Sequence, residues 1–99
     1  MNEFENERFD VYKAAIELLV RADAVAAALP CGRGYLADQL RRAASSISFN
    51  IADGTGEFAS DEKAWFYRMA RRSATESAAI LDACRILLRI VAMLTAMVR

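Results

Sequence analysis

Residues 60–98 read SDEKAWFYRMARRSATESAAILDACRILLRIVAMLTAMV, a run of thirty-nine residues that contains neither glycine nor proline. Within it Phe66, Ala70, Ser73, Ser77, Ile80, Cys84, Leu87, Val91, Leu94 and Val98 recur at alternating spacings of four and three. That alternation keeps one seam on one side of a slightly supercoiled helix. Ser60 offers an N-cap, and Asp61 and Glu62 place negative charge at the positive end of the helix dipole, so a helix is expected to start there. Read as one rod, 60–98 spans about 58 Å at 1.5 Å per residue.

Working outward, the glycines Gly54 and Gly56 close the preceding segment, and Pro30 with Gly32 and Gly34 opens it. Between these punctuators Leu36, Leu40, Ala43, Ile47 and Ile51 repeat at helical spacing, which predicts a second helix over 35–53. Its middle is built of small residues, Ala43, Ala44, Ser45, Ser46 and Ser48, which lets a neighbouring helix approach closely. The first segment predicts a helix over about 7–29. It carries two adjacent apolar stripes, Phe9, Tyr12, Ile16 and Leu19 on one and Val11, Ala15, Leu18, Ala22, Val25 and Leu29 on the other. Asp10, Lys13, Glu17 and Arg21 form a solvated stripe. Two apolar stripes call for neighbours on two sides.

The chain is thus read as a single all-α domain, 1–99, an antiparallel helical bundle. Hydrophobic residues make up 56% of it, above the roughly 45–50% of ordinary domains. A small domain hides only a modest share of its surface, so some of this apolar surface is expected to meet another subunit. Thirteen Lys and Arg balance thirteen Asp and Glu, and no global pull toward nucleic acid or anionic lipid follows. The distribution is uneven: acids dominate residues 1–30, and six arginines face Glu76 and Asp82 over 64–99. Two readings stand, antiparallel helices that attract each other or a basic strip for RNA or DNA. Cys31 and Cys84 are far apart, outside any C-x-x-C, and no signal-peptide pattern opens the chain, so free thiols and a cytoplasmic location are expected. Asp82, Arg85 and Arg89 interrupt the apolar stretch 78–98, and no membrane span is expected.

The absence of histidine removes the Glu-x-x-His pairs of a di-metal bundle, histidine-ligated haem and most zinc sites. It also removes the thiol-imidazole pair and the serine triad, and Gly54-Thr55-Gly56 lacks the lysine and spacing of a phosphate loop. No catalytic residue, metal site or cofactor is expected, and an enzyme is not. The polar residues worth weighing are Asn50 and Asp53 on the second helix and Ser73 and Glu76 on the third, each pair three apart on one face. Arg41, Arg42, Arg71 and Arg72 are placed to neutralise such carboxylates or, with Arg68, to contact nucleic acid.

The stretch Arg41-Arg42-Ala43-Ala44-Ser45-Ser46-Ile47-Ser48-Phe49-Asn50-Ile51-Ala52-Asp53-Gly54 resembles the R-R-A-x-x-S-I-x-x-N-I-A-E-G signature of a bacterial four-helix-bundle family named for reading frames in 23S ribosomal RNA intervening sequences. The resemblance extends to Phe9-Asp10-Val11-Tyr12-Lys13-Ala14, and to Phe66, Ala70-Arg71-Arg72-Ser73 and Glu76. It implies left-handed bundles assembled as homopentamers. It also implies kinship with the accessory variability protein of diversity-generating retroelements, which binds a reverse transcriptase and its RNA. Three features depart from the pattern. Asp53 stands for the family's glutamate, Arg72 stands for its glycine, and no turn follows the segment matching Leu81 to Leu87, although Leu88 to Arg99 still looks like the family's final helix.

The expectation is therefore a homo-oligomeric, non-enzymatic helical adaptor for a protein or ribonucleoprotein partner. The alternative is a purely structural, self-assembling protein that binds no nucleic acid. For the third segment, either helices three and four are fused into one rod or a break falls near 85–88.

Overall fold

The computed structural model describes residues 3–98 and consists of three α-helices joined by short connections: α1 (Glu3–Ala28), α2 (Gly34–Thr55) and α3 (Ser60–Met97). Among the described residues α3 is one continuous helix of 38 residues, with no break at 85–88, and no fourth helix is present. Arg99, part of the stretch that resembles a final helix, lies outside the described residues.

The first connection follows from its residues. Gly32 has φ +91°, a conformation that a Cβ disfavours, and the Arg33 N–H donates to the Pro30 carbonyl at 3.2 Å, closing the turn. The start of α3 corrects one expectation. Ala59, in extended geometry, is the capping residue, and its carbonyl accepts the first bond from the Lys63 N–H at 3.0 Å. Ser60 is already helical and makes no side-chain cap, while the carboxylate of Asp61 takes the Glu62 N–H at 3.1 Å.

Gly54, expected from the sequence to close α2, lies inside the helix, which runs on to Thr55. A Cβ at Gly54 would sit 2.8 Å from Cε1 of Tyr67 and 3.1 Å from Cβ of Phe66. The glycine is there because α3 crosses close to α2 at this point, which is a packing requirement and not a turn signal.

α2 lies in the middle. It packs along α3 on one side and α1 on the other, whereas α1 and α3 scarcely touch. Leu40, Ala43, Ala44, Ile47 and Ile51 of α2 are buried, joined by Ala15, Ala22 and Ala26 of α1 and by Ala70, Ile80 and Cys84 of α3. Alanine dominates this core, and the larger apolar side chains Phe9, Val11, Ile16, Val20, Phe49 and Trp65 are exposed. Of the two stripes predicted on α1, Ala15 and Ala22 are buried against the other helices, together with Ala26 from outside the stripes, whereas Phe9 and Tyr12 border an open depression beside Ile51 and Thr55 of α2 and Ile16 is partly exposed.

The shape records the same imbalance. The molecule measures 59 × 24 × 16 Å with a radius of gyration of 16.6 Å, against about 13 Å for a compact domain of this length. Its accessible surface is 6996 Å², roughly 1,400 Å² more than the size scaling of folded monomers gives. The free end of α3 is part of that excess. At 1.5 Å per residue α3 is about 57 Å long and α2 about 33 Å, so α3 overhangs its partner by about 24 Å. The last buried residue of α3 is Cys84, Leu87 and Leu88 are half-buried, and every described residue from Arg89 onward is exposed.

Candidate functional site

Two surfaces carry the residues singled out by sequence: a small polar cluster between α2 and α3, and the arginines around it. The cluster centres on Ser46, in the small-residue stretch of α2. The Asn50 side-chain amide donates to the Ser46 carbonyl at 2.8 Å and to its hydroxyl at 3.0 Å, and the Ser73 hydroxyl of α3 donates to the Ser46 hydroxyl at 2.9 Å. Ser77 continues the chain of bonds by donating to the Ser73 carbonyl at 2.8 Å. Ser48 and Ser77 are buried, and both turn their hydroxyls back on their own helices. The structure thus brings Asn50 and Ser73 together through Ser46. Asp53 and Glu76 are exposed and take no part in this cluster. The helices meet in a register that puts Ser46 opposite Ser73, so Asp53, seven residues further along α2, lies two turns from Ser73.

The arginines separate into two kinds. Arg41 reaches across to α1 and donates to the Asp23 carboxylate at 3.0 Å, an exposed pair. It therefore binds the first helix and not the carboxylates Asp53 or Glu76. Arg42, Arg68, Arg71 and Arg72 are exposed and form no ion pair with any described residue. Arg71 and Arg72 flank an open depression with Thr75 and Glu76. Such guanidiniums are free to take phosphate or carboxylate from outside the chain.

A third surface lay outside the sequence reading. Because α1 and α3 stand apart, α2 floors an open cleft of about 340 Å³ between them, with Ile47 and Ile51 beneath, Glu7, Arg8 and Val11 on the α1 wall, and Tyr67, Ala70, Arg71 and Ala74 on the α3 wall. Its lining is almost wholly apolar. The Tyr67 hydroxyl is shielded from solvent here and finds no hydrogen-bond partner among the described residues, an arrangement that normally carries a cost of order 1–3 kcal/mol. The signal for this cleft was the second apolar stripe of α1, in which Val11 and Leu18 lie beside the residues that face α2. The missing information was that α1 and α3 do not close over it.

The profile of the 23S rRNA-intervening sequence protein family matches residues 7–92, which takes in all of α2, most of α1 and α3 through Ile90 and beyond. The chain belongs to that family. No curated protein and no solved structure gives a match. The family match spans the Arg41 to Gly54 stretch, the polar cluster and the cleft, and it also spans the point where α3 runs past α2 without a turn. Among the described residues no helix is long and apolar enough to cross a membrane, and no cluster of His, Cys, Asp and Glu could hold a metal ion. Burial pushes the Cys84 thiol up from its ordinary value, while Cys31 is exposed in the first connection.

Proposed function

We propose that this member of the 23S rRNA-intervening sequence protein family is a non-enzymatic, oligomeric helical adaptor that holds a ribonucleoprotein partner, with Arg42, Arg68, Arg71 and Arg72 contacting phosphate. The observation that carries this reading is the set of four exposed arginines that form no ion pair with an acidic group among the described residues. Arginines serving only the fold would be expected to pair as Arg41 does with Asp23. The family name points to an rRNA setting, and kinship with the retroelement accessory protein would supply a reverse transcriptase and its RNA as the partner. Assembly is supported by the alanine-rich core and by the large apolar side chains left outside it. In this reading the three helices are completed to a four-helix arrangement when copies associate, and the work is done in the cytoplasm.

A second reading, a scaffold that binds only itself, draws support from Arg41, whose guanidinium is spent on α1. Light scattering coupled to size exclusion, with and without a mixed RNA pool at low salt, separates the two. The adaptor reading expects a discrete oligomer that gains mass with RNA and loses RNA steeply as salt rises; Arg71→Ala should lower the salt slope by about one phosphate contact. An oligomer that ignores RNA at every salt concentration favours the scaffold.

A further inference from the structure

Tyr35, Arg42 and Phe49 stand on α2 at intervals of seven residues, and Trp65, Arg68 and Arg72 stand on α3 at intervals of three and four. Each set therefore lies along one face of its helix. All six residues are exposed, Tyr35 at 60%, Phe49 at 64% and Trp65 at 50%. The two faces adjoin. Ser46, between Arg42 and Phe49 on the flank of α2, accepts the hydroxyl of Ser73, the residue after Arg72, and Gly54 lies against Phe66, the residue after Trp65. Both faces turn away from the cleft, whose floor is Ile47 and Ile51 and whose α3 wall includes Tyr67, Arg71 and Ala74.

The two contacts also make α2 and α3 antiparallel and fix the order along the pair. Measured from Trp65 at 1.5 Å per residue, Arg68 follows at about 4 Å, Phe49 at about 8 Å, Arg72 at about 10 Å, Arg42 at about 18 Å and Tyr35 at about 28 Å. Rings and guanidiniums are thus interleaved along one strip. Charge alone does not account for it. Asp38, Asp53 and Glu76 are exposed on the same side and balance the three arginines, which leaves little net attraction for a duplex that presents phosphates and keeps its bases stacked inside. Exposed rings beside guanidiniums suit an unpaired strand. Its bases stack on the rings, and its phosphates take the guanidinium N–H donors.

We infer that the Tyr35–Phe49 face of α2 and the Trp65–Arg72 face of α3 form a platform for single-stranded RNA, on which bases stack on Trp65, Phe49 and Tyr35 and phosphates bind Arg42, Arg68 and Arg72. This rests on the ribonucleoprotein reading above and narrows it to unpaired RNA held by its bases as well as its phosphates.

Trp65 is the chain's one tryptophan, so its fluorescence reports on the platform in the unaltered protein. The full-length chain is titrated at low salt with an unstructured oligouridylate of about twelve nucleotides and, separately, with a duplex RNA of the same length. The platform predicts that the single strand quenches Trp65 and binds about tenfold or more tightly than the duplex. Phe49→Ala and Trp65→Ala, each checked for helix content by circular dichroism, are expected to weaken single-strand binding by about tenfold, and Trp65→Phe to retain it. RNA that binds and leaves Trp65 emission unchanged, or a duplex that binds as tightly as the single strand, overturns the platform and leaves the phosphate-contact reading standing. Emission that follows protein concentration and ignores RNA assigns this face to contact between copies and likewise overturns the platform. No binding of either RNA at low salt overturns both the platform and the ribonucleoprotein reading.

Discussion

The two halves of α3 share one heptad and differ in everything that surrounds them. Residues 66–84 lie against α2, and Ala70, Ser77, Ile80 and Cys84 are buried. Residues 89–98 repeat the same spacing with larger side chains, Val91, Leu94 and Val98, and all three are exposed. The half with the small residues has a partner and the half with the large residues has none. Small residues suit a helix pressed close to its neighbour, as at Gly54 and the serines around Ser46. Large ones left uncovered suit burial against another copy of the chain.

The strongest way to sharpen this contrast is to remove equivalent leucines from the two environments. Leu40→Ala in the α2 core should lower stability by about 2–5 kcal/mol, read as a fall in the denaturant midpoint at any protein concentration. Leu94→Ala should leave a dilute chain as stable as before and weaken self-association, by a factor of ten or more per dock, since burying a leucine is worth roughly 1.5–3 kcal/mol. Equal effects of the two on a monomeric sample would erase the distinction between the halves. Gly54→Ala comes next. Its Cβ would press the Tyr67 ring at the point where α2 and α3 lie closest, and a loss of about 1–3 kcal/mol is expected; an unchanged melting temperature would mean that the ring moves aside into the cleft at little cost.

The smallest effect concerns the thiols. Cys31 should react with an alkylating reagent at the rate of a free thiol, and Cys84 only on opening of the core, because burial excludes the reagent and favours the neutral thiol. The sign of the pH dependence follows. A thiol whose folded pKa is raised holds its proton in the native state where the unfolded chain has begun to lose it. Its contribution is therefore full below the ordinary thiol value of 9.0 and declines as pH rises through it. Equal reactivity of the two cysteines would place the end of the packed segment before Cys84.

Much of the fold was legible because its signals are local. Pro30 with Gly32 and Gly34 marks the first connection, the absence of either residue after Gly56 marks the long helix, and Leu40, Ile47 and Ile51 mark the buried face of α2. The exceptions are long-range. Nothing around Gly54 tells a turn glycine from one that admits the Tyr67 ring; that depends on a helix which passes thirteen residues later. Ala59 displaced Ser60 as the cap because the backbone enters the helix extended one residue earlier. The polar cluster was half legible: Asn50 and Ser73 meet, but through Ser46, and the register leaves Asp53 and Glu76 outside. The cleft was the least legible feature, since it exists through the separation of α1 and α3, two elements whose sequences say only that each has an apolar face.

The central claim, that the end of α3 is completed by another copy of the chain, is tested most directly by amide hydrogen exchange at two protein concentrations that span dissociation. Assembly predicts slow amides over 70–84 at both concentrations and amides over 86–97 that become slow only at the higher one. Amides over 86–97 that exchange freely at both concentrations, or that are slow in a sample whose mass is that of one chain, would contradict it.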